Sequence, residues 1–442
     1  MELDDDVAAA VGRAWTDTEA WEFLTELTAL GSRMAASEGE ARAAELVAEA
    51  FADAGLERVR QRPFEAPAWR RGGTTLRLTA LGDREFEAIA LPYCPAGEVA
   101  GELVDVGYGT PEEIAAVDVA GKVAVASATT PDDSRFVHRM EKFGAAAGAG
   151  AEAFVFVNHV PGQLPPTGSL TFGEEADIPA VGVSRETGAW LTEYAGEGGA
   201  VELSVDAGTV PGESQNVLAR VGPDTDEHVL AVAHYDAHDI AEGALDNGCG
   251  IATLVVAARV LAAADLDTEV RVAAVGGEET GLLGAERLAE ATDLDAVKAV
   301  VNLDGTGRFR DLVAMTHTSE ATAEVAERVG AETRQPVELR AEPHPFSDQW
   351  PFVRRGVPAL QLHSDSGERG RGWGHTHADT RDKVDDRCVR EHGVLAALSV
   401  RELARDGVDV PRLDDGDLEA AFRDAEFEPG MKAAGLWPAD WE

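Results

Sequence analysis

Short apolar runs alternate with helical segments between residues 228 and 305, and no other feature of the sequence constrains the fold as strongly. Continuous apolar strands of this kind occur in parallel sheets, whose two faces are covered by helices. The segments follow one another along the chain as HVLAVAHYD, GIATLVVAARVLAA, EVRVAAVGGEE and AVKAVVNLDG. The pattern predicts an α/β domain with a mostly parallel central sheet.

Two earlier segments have the capping pattern of helix starts. The first has Thr16 three residues before Glu19, and the second has Ser37 three residues before Glu40 and a glycine at Gly55. A hydroxyl at the cap and a glutamate three residues later satisfy backbone N–H groups that a helix leaves unpaired. We therefore expect two scaffold helices here.

The sequence pattern changes between residues 73 and 209, where short β-like runs are joined by turns rich in glycine and proline. The runs are TTLRLTA, GELVDVG, KVAVASA, AFVFVN and IPAVGV. Strands of this length separated by such turns predict a β-rich domain. We therefore expect an insertion at 73–209 between two parts of one catalytic domain, residues 1–72 and 210–442.

Polar side chains follow the predicted strands at the points where each strand ends. His234 and Asp236 close the first strand, two residues apart and so on one face while the chain stays extended. Asp246 follows ten residues later, in a loop of small residues just before a helix. In an open α/β sheet, the carboxyl ends of the strands border the crevice that binds ligands.

The same edge should receive further acidic residues from the next strands. Glu278 and Glu279 follow one apolar run, Asp304 ends the next, and His375 lies in a polar turn near the end of the chain. Any one of these residues alone is more often a turn, a cap or an ordinary polar side chain. Two aspartates, a glutamate and two histidines in one crevice form the ligand set expected for two zinc-like ions with one bridging carboxylate.

The adjacent glutamates then have different expected roles. Neighbouring residues that leave a strand point in different directions, so Glu278 and Glu279 need not serve one ion. One carboxylate can ligate while the other takes a proton from metal-bound water and delivers it to a leaving amine. With Asp246 and Asp304 they carry four negative charges, which match two divalent cations.

These residues resemble the dinuclear zinc exopeptidases of the bacterial leucyl aminopeptidase and glutamate carboxypeptidase type. The resemblance covers most of the chain, and it rests on HYDAHDIAEGALDNGCG, GGEETGLLGAE, NLDG, SDQWPFVRRGVPAL and HTHADTRDKVD. It implies a three-layer α/β zinc exopeptidase fold with a mostly parallel central sheet. The insertion resembles a protease-associated domain.

The resemblance also implies residue roles. His234 and Asp304 would bind one zinc, Glu279 and His375 would bind the other, and Asp246 would bridge the two. The choice of His375 rests on the His-Thr-x-x-Asp pattern, since His238 and His377 are spare imidazoles nearby.

The implied catalytic residues are Glu278, as general base for attack by a metal-bridging hydroxide, and Asp236, which would orient His234. The reaction would be hydrolysis of a terminal peptide bond, with an aminopeptidase favoured. A carboxypeptidase or dipeptidase would need a cation for the terminal carboxylate, and Arg308 or Arg310 could provide it. A non-catalytic receptor-like module of the same fold would be expected to have lost ligands.

The composition of the chain limits which partners it can bind and indicates the salt conditions and the cell compartment in which it works. The chain has 81 acidic and 38 basic residues, a formal net charge of -43. This charge argues against nucleic acid or an anionic membrane as a partner, and it indicates adaptation to high salt. Three widely spaced cysteines fit neither a disulfide framework nor a thiolate metal site, and the N-terminus lacks a signal-peptide pattern. We expect a cytoplasmic protein that acts on peptides; the oligomeric state is left open.

Overall fold

The computed structural model describes residues 3–132, 134–365, 367 and 372–441. The chain forms two compact units. The first unit comprises Met1–Ala66, Glu213–Gly370 and Asp379–Phe422, and the second comprises Pro67–Gly212, Arg371–Ala378 and Arg423–Glu442. The predicted insertion, residues 73–209, lies within Pro67–Gly212, the longest segment of the second unit. The second unit also includes Arg371–Ala378 and Arg423–Glu442, which the sequence analysis places in the catalytic domain.

The helices are α1 (Asp5–Thr16), α2 (Glu19–Thr28), α3 (Glu38–Asp53), α4 (Pro111–Ala115), α5 (Arg139–Gly148), α6 (Arg185–Gly196), α7 (Cys249–Leu261), α8 (Leu283–Glu290), α9 (Glu320–Thr333), α10 (Trp350–Val353), α11 (Asp386–Leu403), α12 (Asp415–Asp424) and α13 (Glu428–Ala433).

The strands are β1 (Glu57–Leu78), β2 (Arg84–Phe86), β3 (Ile89–Ala90), β4 (Gly97–Asp105), β5 (Val123–Ser127), β6 (Ala153–Val157), β7 (Ala180–Val183), β8 (Ala200–Val221), β9 (His228–His234), β10 (Glu269–Val275), β11 (Val297–Leu303), β12 (Asp311–Met315), β13 (Val337–Arg340) and β14 (Ala359–Asp365).

The sheet of the first unit has the order β13-β12-β14-β11-β9-β10, followed by the C-terminal half of β8. Strands β10, β9, β11 and β14 run parallel to one another, whereas β8 is antiparallel to β10 and β12 is antiparallel to β14. The predicted fold class, an α/β fold with a mostly parallel central sheet, is confirmed.

The register of the central strands determines where the polar residues meet. Val275 of β10 pairs with His234 of β9, and Asn302 of β11 pairs with Val232. Because the three strands are parallel and adjacent, their carboxyl ends lie at one edge of the sheet. The segments that follow β9, β10 and β11 therefore start side by side.

The core of the first unit forms where α7 and α11 pack together and cover the sheet. All residues of α7 except Arg259 are buried. The window Ala244–Leu261 is apolar enough to cross a membrane by composition alone, but 89% of it is buried in the structure. Its hydrophobicity is thus accounted for by core packing.

Two helix starts were predicted near the N-terminus, and one of them is correct. The Ser37 side chain accepts a hydrogen bond from the Glu40 backbone N–H at 3.1 Å and caps α3. The other predicted helix is present as α2, but Thr16 is not its cap, because Thr16 is the last residue of α1 and its hydroxyl bonds back to the Gly12 carbonyl. The acidic first turn of α1 has no capping hydroxyl in the sequence, so the pattern overlooked that helix.

The second unit contains a sheet of β4, β5, β6, β7 and β3, which continues the N-terminal half of β8. Strands β4 to β7 are parallel, and β3 is antiparallel to β7. Four of the five predicted strand runs correspond to β4, β5, β6 and β7 within about four residues, and the fifth, TTLRLTA, lies at the end of β1. The unit is less purely β than predicted, because α4, α5 and α6 connect and cover these strands.

Candidate metal centre

His234 and Asp236 anchor the centre at the end of β9. Both side chains are buried, and His234 Nδ1 lies 3.4 Å from Asp236 Oδ1. The Asp236 carboxylate also accepts hydrogen bonds from the backbone N–H groups of Glu278 at 3.1 Å and Glu279 at 3.2 Å. Asp236 therefore holds the segment after β10 against the end of β9. The orienting role of Asp236 towards His234 stays a prediction.

The other ring nitrogen of His234 faces two carboxylates. Nε2 lies 3.6 Å from Asp246 Oδ1 and 3.8 Å from Asp304 Oδ1, too far for good hydrogen bonds. Two ligands about 2.1 Å from a tetrahedral zinc ion stand about 3.4 Å apart, so these separations suit a shared cation. Ligand atoms of His234, Glu278 and Asp304 lie within 4.8 Å of one another.

Asp379 fixes the loop that carries Asp246. Its carboxylate accepts hydrogen bonds from the backbone N–H groups of Leu245 at 2.6 Å and Asp246 at 3.1 Å. Burial and the Asp246 carboxylate raise the pKa of Asp379 to about 7. Asp379 is the aspartate of the His-Thr-x-x-Asp pattern, but we gave it no role from the sequence. The pattern that selected His375 thus also marked a positioning residue.

Asn247 and Ser347 position Asp304. Asn247 Nδ2 donates to the Leu303 carbonyl at 2.9 Å, and its Oδ1 accepts from the Gly305 N–H at 3.1 Å. Ser347 Oγ donates to Asp304 Oδ2 at 2.7 Å. The Asp304 carboxylate is therefore held on one oxygen while the other faces His234.

Arg308 is the nearest cation to these carboxylates. Its guanidinium donates to Asp246 Oδ1 at 2.7 Å, to Asp304 Oδ1 at 3.3 Å and to the Leu245 carbonyl at 2.5 Å. Burial opposes its charge, but the two carboxylates outweigh burial and raise the pKa of Arg308. Arg308 is thus bound to the Asp246 and Asp304 carboxylates rather than free in the crevice.

The Glu279 carboxylate lies against the imidazole of His238, a residue to which the sequence analysis gave no role. His238 Nε2 lies 2.9 Å from Glu279 Oε2, and both side chains are buried. The sequence signal for His238 was its position two residues after Asp236, which keeps both residues on one side of an extended segment. Sequence reasoning missed this contact because it joins segments that follow different strands.

Asp348 adds a carboxylate that sequence reasoning did not select. It is fully buried, and neither carboxylate oxygen has a hydrogen-bond partner among the described residues. Burial, together with Asp236 and Asp304, raises its pKa well above the usual range, although His234 opposes the shift. A buried carboxylate without partners is costly unless a cation lies nearby.

The centre contains more carboxylates than cationic side chains. Burial disfavours a charged His234, but Glu278 and the three facing aspartates outweigh burial and raise its pKa. Burial raises the pKa of Glu278 well above its usual range, with contributions from Asp304 and Asp348. Carboxylates outnumber cationic side chains here, so the donor set fits divalent metal ions, which would relieve the repulsion.

His375 lies in the second unit, in the segment Arg371–Ala378. Its backbone has the left-handed conformation, with φ of 57°, and its carbonyl accepts a hydrogen bond from the Thr167 N–H at 2.8 Å. Its role as a ligand stays a prediction. The other six predicted site residues all lie in the first unit, where the structure brings them together.

Comparison with known proteins shows what this chain is similar to. Residues 216–400 match the model of peptidase family M28, and residues 99–191 match the PA domain. Over these two ranges the chain is similar to an M28 peptidase that has a PA domain. The matched region contains His234, Asp246, Glu279, Asp304 and His375. The resemblance seen in the motifs is therefore confirmed, as are the peptidase class and the inserted protease-associated domain.

Similar proteins of known name support the same family. Aminopeptidase YwaD of Bacillus subtilis (strain 168) is 27% identical over 407 residues, which cover 87% of this chain and 84% of the relative. A solved structure of BSAP, a zinc aminopeptidase from Bacillus subtilis, has a TM-score of 0.71 at 26% identity, covering 88% of this chain and 97% of that one. An aminopeptidase from Aneurinibacillus sp. strain AM-1 has a TM-score of 0.70 at 26% identity, with 90% and 97% covered.

Proposed function

We propose that this M28 peptidase is a zinc-dependent aminopeptidase that binds two zinc ions. The observation that carries the proposal is the buried arrangement of the His234 imidazole, 3.6 Å and 3.8 Å from the Asp246 and Asp304 carboxylates. The names of the relatives, aminopeptidases in both cases and a zinc enzyme in one, support the same assignment.

The ligand roles in this proposal follow the sequence-based assignment. His234 and Asp304 would hold one zinc ion, Glu279 and His375 would hold the second, and Asp246 would contact both. The pairing of His238 with Glu279 marks His238 as the neighbour that positions the Glu279 carboxylate. When bound, zinc ions lower the pKa of water and polarise a substrate carbonyl.

Glu278 is the proton carrier in this proposal. Its backbone N–H is fixed by Asp236, and burial raises the pKa of its carboxyl. A general base works best when its pKa lies near the operating pH, so a raised pKa suits the task. The carboxylate accepts a proton from the attacking water and then donates it to the leaving amine, so the residue ends each turnover as it began.

Arg308 favours an aminopeptidase over a carboxypeptidase. A carboxypeptidase needs a cation that is available to the substrate's terminal carboxylate. The Arg308 guanidinium is already bound to Asp246, Asp304 and the Leu245 carbonyl, which leaves Arg310 as the cation of the carboxypeptidase alternative. A free α-amine, by contrast, suits a crevice in which carboxylates outnumber cations.

Blocked dipeptides test the proposal. The zinc-loaded protein is incubated with leucyl-glycine, with its N-acetyl derivative and with its C-terminal amide. We expect cleavage of the first and third peptides and no cleavage of the N-acetyl peptide. Cleavage of the N-acetyl peptide together with loss of cleavage on amidation would instead identify a carboxypeptidase.

We further propose that the protein works in the cytoplasm of a cell with high internal salt. The net charge of -43 supports the salt requirement, because salt screens the repulsion between surface carboxylates. The three cysteines, Cys94, Cys249 and Cys388, are all buried and reduced, which suits a reducing compartment.

A further inference from the structure

A second cavity in the first unit has a volume of about 540 Å³ and lies away from the metal centre. Its lining includes His228 and Glu269, which begin β9 and β10, whereas the metal centre lies where these strands end. Six residue steps along β9 separate His228 from His234, a span of about 20 Å at 3.3 Å per residue. The cavity is therefore a separate site.

Arginines line this cavity in a chain whose net charge is -43. Arg60 and Arg62 are two residues apart along β1, so their side chains lie on one face of the strand, and Arg58 lines the same cavity from a left-handed backbone position with φ of 53°. Arg220, Arg271 and Arg287 complete a set of six. The lining contains three carboxylates, those of Asp224, Glu269 and Glu290. The cavity thus has a surplus of positive charge that the rest of the chain lacks.

The carboxylates of the lining are already paired. Glu269 contacts Arg220 at 2.9 Å and Arg271 at 2.6 Å. Glu290 contacts Arg287 at 2.9 Å. Asp224 lies 3.4 Å from Arg220 and 3.8 Å from Arg58. These contacts leave the other two arginines of β1 without a carboxylate from the cavity wall.

Arg60 and Arg62 have no ion-pair partner within the part of the chain that the structure describes. Burial, followed by the charges of Arg62 and Arg271, lowers the pKa of Arg60. Like charges held together repel each other unless an anion lies between them. The two guanidinium groups are therefore available to an anionic ligand.

His228 provides an independent sign of a missing partner. Only 1% of the residue is exposed, and neither ring nitrogen has a hydrogen-bond partner among the described residues. Burial and Arg271 lower its pKa to about 4, so the ring is neutral at pH 7 and has one N–H to donate. Buried polar groups are normally satisfied, so a polar ligand atom is expected at this wall.

The remaining wall is apolar and includes Phe64, Leu218, Leu230 and Leu288. A volume of about 540 Å³ is within the range of sites for small molecules. We propose that this cavity binds a small organic anion, with two or more acidic groups for the arginines and an apolar body for the hydrophobic wall. The acidic groups can be sulfonate, phosphate or carboxylate, since all three accept paired hydrogen bonds from guanidinium.

Titration calorimetry with naphthalene-1,5-disulfonate tests the proposal, because this probe has two anionic groups on an apolar body. Naphthalene-2,6-dicarboxylate tests the second acid type. The natural chain is compared with Arg60→Gln/Arg62→Gln and with the control Arg13→Gln/Arg185→Gln, which removes the same charge from exposed positions outside the cavity. All measurements use one KCl concentration at which circular dichroism shows every variant folded.

We expect saturable binding of one probe per chain, about tenfold or more weaker in the cavity variant and unchanged within about twofold in the control. Binding of the dicarboxylate but not the disulfonate would support the site and identify the acid type. Absence of saturable binding for both probes, or equal weakening in both double variants, would overturn the proposal. If the cavity variant does not fold, Arg60→Gln is compared with Arg13→Gln on the same criteria.

Discussion

Lys142 provides a sharp test of the electrostatics inside the second unit. Its side chain is fully buried, and its ammonium donates hydrogen bonds to the carbonyls of Ser127 at 3.0 Å and Thr129 at 2.5 Å. Burial lowers the pKa of Lys142 from 10.5 to about 8, with Glu113 and Glu141 opposing the shift. The folded chain therefore releases this proton at a lower pH than the unfolded chain does.

The size and sign of the effect follow from this difference. Between pH 8 and 10.5 the unfolded chain binds more protons, so the free energy of unfolding rises with pH in that range. Below pH 8 both states are protonated, and the lowered pKa costs the fold about 3 kcal/mol. At pH 9.5 the remaining cost is about 1 kcal/mol, so about 2 kcal/mol is recovered between pH 7 and 9.5.

Replacement of Lys142 by methionine removes the titration and keeps most of the side-chain volume. Equilibrium unfolding in urea, followed by circular dichroism at pH 7 and pH 9.5, gives the free energies for both chains. Relative to Lys142→Met, the natural chain should gain about 2 kcal/mol in free energy of unfolding between pH 7 and pH 9.5. The control is Lys432→Met, since the Lys432 side chain is 45% exposed and stays in contact with water.

A difference between the natural chain and Lys142→Met that stays constant between the two pH values would refute this reasoning. It would mean that Lys142 keeps an ordinary proton affinity when buried, so that the two carbonyls and the nearby glutamates fully replace water. A shift of the same size in Lys432→Met would assign the effect to the overall charge of the protein instead.

Three further predictions concern the centre and the surface. Glu278→Gln should keep about two zinc ions per chain while kcat falls at least about 100-fold. Glu279→Gln should bind zinc more weakly, and its activity should recover partly in excess zinc. If the two variants behaved the other way round, the roles of the two glutamates would have to be exchanged. Asp236→Asn should weaken zinc binding about 10- to 100-fold in a competition titration with a chelator, and the exposed control Asp226→Asn should not; equal affinities would remove the orienting role. The thermal midpoint should rise from low to multimolar KCl, where the Debye length falls to about 3 Å, and equal midpoints would contradict the salt requirement.

Much of the fold was readable from local patterns. The apolar runs that predicted β9, β10 and β11 correspond to Val- and Ala-rich strands whose residues are nearly all buried, and that burial on both faces is what a continuous apolar run indicates. The start of α3 was readable because Ser37 and Glu40 are three residues apart, so that the cap forms within one turn. The same reasoning failed at Thr16, since the pattern cannot tell the first turn of a helix from the last turn of the one before it.

The candidate site was predictable only in part, for a related reason. Parallel neighbouring strands bring their carboxyl ends to one edge, so the sequence could place His234, Asp304 and the paired glutamates in one crevice. It could not assign Asp379 to the Asp246 backbone, because that contact spans 133 residues and depends on where the last segment returns. His375 carried a sequence motif but no local pattern that fixes its distance from the other residues.

The sequence by itself determined the central strands β9, β10 and β11, the start of α3, the residues that stand at the strand ends, and the net charge of the chain. Hydrophobic periodicity, capping and net charge are properties of neighbouring residues or of composition, so they need no knowledge of long-range contacts. Tertiary structure alone decided that Arg308 binds the Asp246 and Asp304 carboxylates and that the Asp348 carboxylate is buried with no hydrogen-bond partner among the described residues. It also decided that Arg60 lines the same cavity as His228, which follows it by 168 residues, because the distance between two side chains depends on strand order and register.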